Sequence, residues 1–227
     1  MIWGMSQKIE ASVPLSGRRR QAAVNDGRIL EAAREVFIAD PGAPITAVAH
    51  RAGVGISALY SRYASKDDLL RKLCGDALAL VVSIVESALG DDRDEWTVFS
   101  DFMHKMVDAG TSSLTLALAG KFEPSQELFA LAGRANELMV ALFERVKGVL
   151  RPGLDVNDVS LVFEQVAAIK LGAPKRGAQL RNRYLAIVLD GMRAGAGPTL
   201  PGTPPTWQEI STRWAANGSR TGTRHPG

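Results

Sequence analysis

The sequence predicts an all-α protein of about nine helices, and three observations support this fold class. Apolar residues recur at the three- and four-residue spacing of helices that bury one face. Residues that cap or end helices separate these segments along the chain. The alternating apolar pattern of strands is not found in the 227 residues. With 46% hydrophobic and 22% charged residues, a chain of this length can bury the core of one or two domains.

The first predicted helix follows a flexible basic arm at residues 1–20. The arm contains Gly, Ser and Pro without an apolar period, and it ends in three arginines at residues 18–20. Asn25 or Asp26 can cap the helix, and the turn-forming residues 40–42 end it. Its apolar stripe consists of Ile29, Leu30, Ala33, Val36 and Phe37.

Two shorter helices are predicted next, joined by a turn that contains glycine. Pro44 suits the first turn of the second helix, because an N–H group in that turn has no partner within the helix. Gly53 ends this helix after barely two turns, and the third helix covers residues 56–63. The predicted buried residues are Ile45, Val48, Ala49 and Ala52 in the second helix and Leu59 and Tyr63 in the third.

Longer helices are predicted over most of the remaining chain. Ser65 and Asp68 form a capping box for a fourth helix, from Lys66 to about Leu89. The helices predicted after it cover residues 94–109, 111–119, 124–150, 155–171 and 176–193. In the C-terminal tail, Thr206 and Glu209 could cap a short helix that carries Trp207, Ile210 and Trp214.

Four segments result from these predictions. They are the arm at 1–20, a three-helix domain at 21–68, a helical bundle at 69–195 and a Pro/Gly-rich tail at 196–227. Positive charge is concentrated in the first third of the chain. Residues 1–72 contain 11 Lys and Arg against 7 Asp and Glu, whereas residues 73–227 contain 16 against 17. This distribution is typical of a phosphate-binding head on a body that does not bind DNA.

The second and third helices, braced by the first, have the pattern of a helix-turn-helix motif. Leu59 would face the core, and the small residues on the opposite side of the third helix would allow close approach to base edges. Tyr60 and Arg62 can reach phosphates or guanine, and Lys66 is placed to add a phosphate contact. The predicted DNA-binding residues are Thr46, Gly55, Ile56, Ser57, Ala58, Tyr60, Ser61, Arg62 and Lys66.

Residues 52–70, AGVGISALYSRYASKDDLL, resemble the signature of the tetracycline-repressor (TetR) family. The resemblance extends from about residue 22 to residue 82, and residues 183–193 are similar to the final helix in one branch of that family. It implies a DNA-binding transcription regulator, with repression as the family's majority behaviour. It also implies that the last two long helices form a dimer interface and that the middle helices enclose an effector pocket.

The last two long helices carry more apolar residues than a small bundle readily buries, which independently favours a homodimer. The predicted interface consists of Leu161, Val162, Val166, Ile169, Tyr184, Leu185, Val188, Leu189 and Met192. A twofold dimer would present its two third helices to successive major grooves, so its operator is expected to be roughly palindromic.

Large apolar residues in the middle helices, at 94–150, are candidates for lining the effector pocket. They are Trp96, Phe99, Phe102, Met103, Phe122, Phe129, Met139 and Phe143. Their abundance favours an unknown small-molecule effector that is largely apolar. The alternative is ordinary core packing, since aromatic residues at helical spacing usually belong to a core.

An enzyme is the main competing class, but the sequence contains no phosphate loop, nucleophile elbow or cluster of metal ligands. We therefore expect neither catalysis nor a cofactor. A helical dimeric interaction module, or a ligand-binding protein without DNA-binding activity, is the remaining alternative and would make the basic head incidental. A single cysteine, Cys74, and the absence of a signal-peptide pattern or a long apolar span predict a cytoplasmic protein with no membrane partner.

Overall fold

The structure, a computed structural model, describes residues 17–118, 120–195 and 197–215. These residues form nine α-helices as far as Met192 and a further short helix in the tail, and the predicted all-α class is confirmed. The helices are α1 (Gly17–Ala39), α2 (Ile45–Ala52), α3 (Ile56–Arg62), α4 (Lys66–Leu89), α5 (Glu95–Ala109), α6 (Thr111–Leu118), α7 (Gln126–Val146), α8 (Val156–Ala167), α9 (Pro174–Met192) and α10 (Trp207–Ala215).

The first helix begins earlier than predicted. α1 starts at Gly17 and not at Asn25 or Asp26, so the last part of the predicted arm is helical. Arginine, glutamine and alanine fill residues 18–23 and have high helix propensity, which explains the extension. Asp26 lies inside the helix and does not cap it. Its carboxylate accepts hydrogen bonds from Arg62 and Tyr63. The rest of the predicted arm, at residues 1–16, lies outside the described residues.

Two apolar clusters form the core, and the long helix α4 contributes to both. The head cluster combines α1, α2, α3 and the first half of α4, with Phe37 and Leu59 fully buried. The body cluster combines the second half of α4 with α5, α7, α8 and α9. Leu114 and Leu118 of α6 pack in the head cluster, although their helix follows α5 in the chain. The head core therefore extends past the predicted boundary at residue 68.

Two hydrogen bonds connect the head to one end of the body. Nη1 of Arg34 in α1 donates to the carbonyl oxygen of Ala109, at the end of α5, over 3.0 Å. Nζ of Lys170, in the loop between α8 and α9, donates to the carbonyl oxygen of Ile38 over 3.3 Å. We call this end of the body the head-facing end. It contains the end of α5 and the start of α9.

Contacts to the ends of two helices, α4 and α9, close the far end of the body. Nη1 of Arg145 in α7 donates to the carbonyl oxygens of Ala88 and Leu89, over 3.0 and 2.9 Å, and thereby caps the end of α4. The backbone N–H of Arg151 donates to the carbonyl oxygen of Met192 over 2.8 Å, which ties the end of α9 to the loop before α8. α9 therefore runs from the head-facing end to the far end.

The tail helix α10 begins at Trp207, as predicted. The N–H of Glu209 donates to Oγ1 of Thr206 over 3.2 Å, and the N–H of Thr206 donates to Oε2 of Glu209 over 2.7 Å, so the predicted capping pair is confirmed. Ile210 is buried, whereas Trp207 is exposed. The side chain of Trp214 lies outside the described residues.

Phe37 and Phe129 provide a direct test of the head core. Phe37 is completely buried, and Phe129 is 64% exposed on α7. We expect Phe37→Ala to lower the free energy of unfolding by about 3–5 kcal/mol, because it removes a buried ring and leaves a cavity. Phe129→Ala is the control and should change it by less than about 0.5 kcal/mol. Urea unfolding followed by circular dichroism measures both, and equal losses would contradict the core assignment.

Candidate nucleic-acid interface

The turn between α2 and α3 depends on a glycine with a left-handed backbone. Gly53 has φ 64° and ψ 38°, and its N–H donates to the carbonyl oxygen of His50 over 3.1 Å. A side chain here would be strained, and its Cβ would lie 2.9 Å from a guanidinium nitrogen of Arg28. The N–H of Val54 then donates to the carbonyl oxygen of Ala49 over 3.1 Å. These constraints fix the direction in which α3 leaves the turn.

α3 is held by one buried side chain. Leu59 is fully buried in the head cluster, and Tyr63, directly after the helix, is 7% exposed. Every other residue of the helix is exposed, as are Gly55 before it and Thr46 on the first turn of α2. The exposed residues of α3 are Ile56, Ser57, Ala58, Tyr60, Ser61 and Arg62. Eight of the nine predicted DNA-binding residues are therefore accessible.

The first turns of α2 and α3 lack a side-chain cap. Pro44 and Gly55 occupy the two N-cap positions in extended conformations, and neither residue has a side-chain acceptor for a capping hydrogen bond. By contrast, the side chain of Ser65 accepts a hydrogen bond from the N–H of Asp68 at the start of α4. Uncapped first-turn N–H groups suit anionic oxygens, which also interact favourably with the helix dipole.

Arg62 is bound to a carboxylate of the first helix. Its Nε and Nη2 donate to Oδ1 and Oδ2 of Asp26 over 2.9 and 2.8 Å, and the hydroxyl of Tyr63 donates to Oδ1 over 2.6 Å. The hydrogen bond from Arg62 lowers the pKa of Asp26 below its ordinary value. Burial and the bond to Asp26 raise the pKa of Tyr63. Arg62 thus braces α3 against α1, a role that sequence spacing did not predict.

Lys66 also has an internal role. Its Nζ donates to the carbonyl oxygens of Ala43 and Pro41 over 2.7 and 3.4 Å, and it lies 5.0 Å from the centre of the Phe37 ring. A cation at this position stabilises the loop between α1 and α2 through its carbonyl dipoles and the aromatic face. The ammonium group is therefore directed at this loop. Lys66 is half-buried, whereas the other eight predicted DNA-binding residues are exposed.

Residues 29–73 match the family model described as bacterial regulatory proteins, tetR family. The head of this chain is therefore similar to the corresponding part of tetR-family regulatory proteins. The match covers α2, α3, the C-terminal part of α1 from residue 29 and the start of α4, which are the elements of the head. Among curated proteins, none matches the chain.

Solved structures show that the likeness in fold extends over the body. LfrR from Mycobacterium smegmatis, a TetR-like transcriptional regulator in complex with proflavine, is 22% identical and has a TM-score of 0.58, covering 78% of this chain and 99% of its own. The ketosteroid transcriptional regulator KstR2 of Mycobacterium tuberculosis is 19% identical, with a TM-score of 0.57 and coverages of 79% and 97%. A gamma-butyrolactone receptor is 15% identical, with a TM-score of 0.55 and coverages of 87% and 96%. The chain therefore has the fold of TetR-like regulators.

The effector-pocket candidates do not surround one space in this structure. Phe99, Phe102, Met103 and Phe143 are buried in the body core, and Trp96 and Met139 are half-buried at its edge. Phe122 instead packs against the head cluster, and Phe129 is exposed, so neither joins the others. The cavity beside Phe99, Phe102, Met139 and Phe143 measures about 10 Å³, which is room for about one water molecule. In this conformation the candidates within the body serve as core.

The predicted dimer residues divide into two groups. Val166, Leu185, Leu189 and Met192 are at most 4% exposed within a single chain, because they face the body core, so they are not available to a partner. Leu161, Val162, Ile169 and Val188 are half-buried, and Tyr184 is 51% exposed. Ile187, which the prediction missed, is 58% exposed on α9. Its spacing of three residues from Tyr184 places both on one face and could have indicated it.

Two features of the described residues bear on other functions. No helix in them is both long enough and apolar enough to cross a membrane. Likewise, within those residues no three His, Cys, Asp and Glu side chains lie close enough to hold a metal ion. Cys74 is buried in the head, and burial raises the pKa of its thiol to about 12.

The contact between Asp26 and Arg62 predicts a pH-dependent contribution to stability. Because folding lowers the pKa of Asp26 from 3.8, its ionised carboxylate stabilises the folded state above that pH. The stabilisation is lost as the pH falls through the lower pKa of the folded protein. We expect Asp26→Asn to reduce the free energy of unfolding at pH 7, and to reduce it less at pH 3.

Urea unfolding at the two pH values measures this difference. Glu31→Gln is the matched control, because it removes one exposed carboxylate from the same helix. An effect of Asp26→Asn that is the same at both pH values would show that the carboxylate charge does not stabilise the contact.

Proposed function

We propose that this chain is a DNA-binding transcription regulator that reads operator DNA with α3. The observation that carries the proposal is the exposure of this helix. Leu59 is the one buried side chain of α3, and apart from the contact of Arg62 with Asp26 the rest of the helix surface is accessible to a ligand as large as a duplex. The major groove of DNA admits an α-helix, and base edges there identify the sequence.

The contact proposed for each exposed residue of α3 depends on the size of its side chain. Ser57, Ala58 and Ser61 are small and would let the helix backbone approach the base edges. Tyr60 is long enough to reach a phosphate or a base from the same surface. The uncapped first turns of α2 and α3 would bind phosphate oxygens through N–H groups and set the orientation of the head.

We propose that two copies associate through the exposed faces of α8 and α9. Tyr184 and Ile187 are the exposed apolar residues of α9 in this proposed surface, and Leu161 of α8 and Val188 of α9 are half-buried. Association with a second copy would remove these side chains from water. A twofold dimer would place two recognition helices one helical turn of DNA apart, on a roughly palindromic operator.

We further propose that the regulator is a cytoplasmic repressor released by a small, largely apolar effector. Two proteins that share this fold are connected with small molecules. The structure of LfrR contains proflavine, and the second protein is a gamma-butyrolactone receptor. The cavity of about 10 Å³ is far below the roughly 300 Å³ of a small ligand pocket, so binding would require the body helices to separate. An effector that prefers the separated state would shift the population toward it.

The hydrogen bond between Arg34 and Ala109 offers a route from the body to the head. Movement of α5 would displace the carbonyl oxygen that the Arg34 guanidinium holds. α6 follows α5 directly and places Leu114 and Leu118 in the head cluster, so the same movement would alter the packing of α6 against α1 and α4. A change in the separation of two recognition helices is enough to lose a duplex whose half-sites have a fixed spacing.

Tyr60→Ala tests the recognition helix. The variant should retain its fold, because Tyr60 is 49% exposed. We expect it to weaken binding to a duplex selected from a random library by the unmodified protein by about tenfold or more, which corresponds to about 1.4 kcal/mol. Fluorescence anisotropy measures the affinity, and Phe129→Ala is the exposed aromatic control. Unchanged affinity would remove α3 from the proposed role, whereas failure of the unmodified protein to select any duplex would favour a helical module that does not read DNA.

Ile187→Glu tests the proposed dimer. A buried, unpaired carboxylate at each copy of the interface should destabilise association by several kcal/mol and convert dimers to monomers at micromolar concentration. Phe129→Glu introduces the same charge at an equally exposed apolar position on α7 and should leave the dimer intact. Sedimentation velocity separates the two forms. A dimeric Ile187→Glu variant would place the interface elsewhere on the chain.

A further inference from the structure

A strongly basic segment lies in the body, outside the proposed recognition surface. Between Glu164 and Asp190 the chain carries five cations and no acidic residue. The cations are Lys170, Lys175, Arg176, Arg181 and Arg183, which we call the basic segment. Over the rest of residues 73–227 there are 11 Lys and Arg against 17 Asp and Glu. The segment is therefore a local positive region on an otherwise acidic body.

Its charges are exposed and are not neutralised by ion pairs. Lys170, Lys175, Arg176 and Arg183 are exposed, and Arg181 is half-buried. The hydrogen bonds of Lys170, Arg176 and Arg181 go to uncharged oxygens, those of Ile38, Gln179 and Ile169. In the described part of the chain, none of the five forms a salt bridge. A concentration of unpaired positive charge attracts a polyanion.

Three contacts place the basic segment at the head-facing end of the body. Lys170 is bonded to the carbonyl oxygen of Ile38, near the end of α1. Nδ2 of Asn182, which precedes Arg183, donates to Oδ1 of Asp108 over 2.7 Å, and Asp108 adjoins the Ala109 carbonyl that Arg34 holds. The other end of α9 contacts the loop before α8 at the far end of the body. The cations thus lie on the side of the body that carries the head.

The basic segment is also linked to both proposed binding surfaces along the chain. Ile38 is six residues before Pro44, whose uncapped helix is proposed to face a phosphate. Arg183 directly precedes Tyr184, an exposed residue of the proposed dimer surface. In a twofold dimer formed through that surface, the two basic segments would lie close to the symmetry axis. That axis passes through the centre of a palindromic operator.

We propose that the basic segment binds the DNA phosphate backbone at the centre of the operator, between the half-sites read by the two α3 helices. This inference rests on the proposed function and adds a second contact region to it. Contacts from lysine and arginine to phosphate carry no sequence information, but they raise affinity and make it salt-dependent. The segment accordingly strengthens binding to operator and to unrelated duplexes alike, while specificity remains with the head.

The test uses the full chain with Lys175→Gln and Arg176→Gln combined. Both side chains are exposed, whereas Lys170 is left in place because it bonds to the head. The probe is a duplex selected from a random library by the unmodified protein. A dimer of the variant loses four cations, and each phosphate contact contributes about 0.9 to the slope of log K against log salt concentration. We expect the slope to become shallower by up to about 3 to 4 and the affinity to fall at least tenfold.

Arg134→Gln combined with Lys147→Gln is the matched control. It removes the same formal charge from exposed positions on or next to α7, and it should leave the slope nearly unchanged. A second comparison uses a duplex with neutral methylphosphonates at its central steps. The unmodified protein should bind this duplex more weakly than the fully charged duplex of the same sequence. The variant at Lys175 and Arg176 should bind the two duplexes equally, because the neutral phosphonates and the substitutions remove the same contacts.

The outcomes separate this inference from the proposed function. If the unmodified protein selects no duplex, both fall. If it selects one and the variant binds that duplex with the affinity and slope of the control, only the central contact is overturned. Sedimentation of the variant as a monomer would also overturn it, because the cations would then belong to the dimer interface.

Discussion

Burial of Leu59 is the interaction on which the proposed recognition surface depends. α3 has seven residues, too few to be stable alone, and this side chain is the one that it buries. Gly53 directs the helix out of the turn, and the Asp26 carboxylate holds its end through Arg62 and Tyr63. An apolar anchor in the middle of the helix and a polar brace at its end suffice to present the remaining surface. The cost is that Arg62 is engaged by a carboxylate, so its charge is partly neutralised before any DNA contact.

The connection between head and body involves shared packing as well as the chain itself. α4 contributes side chains to both clusters, and α6 returns two leucines to the head after α5 has entered the body. Interiors are close-packed, so a displacement of α5 or α6 is transmitted to their neighbours. The body is closed around a cavity with room for about one water molecule. Binding of the proposed effector at this cavity would therefore require a change in helix packing.

Local signals in the sequence predicted the helices well, and the errors arose where helix faces had to be assigned to the core. The capping pairs at Ser65 and Thr206 and the glycine at Gly53 act within a few residues, and each one is confirmed. Leu185 and Leu189 were expected to meet a partner, but they are buried in their own chain. An apolar stripe shows that a helix face is covered, but only the neighbouring helices decide whether a second copy covers it. Phe129 is a similar case, because it was a candidate for the pocket or the core but is exposed.

By itself, the sequence determined the all-α class, the helix-turn-helix and the concentration of charge, because propensity, capping and turn geometry act over short distances. Acidic residues elsewhere in residues 73–227 offset the five cations between Lys170 and Arg183 in the total charge of the body. The fold places these cations beside the head. Only the tertiary structure decided that Arg62 and Lys66 face internal partners and that Ile187 remains exposed. Those outcomes depend on contacts between residues far apart in the chain, and no local pattern specifies which distant group will be the neighbour.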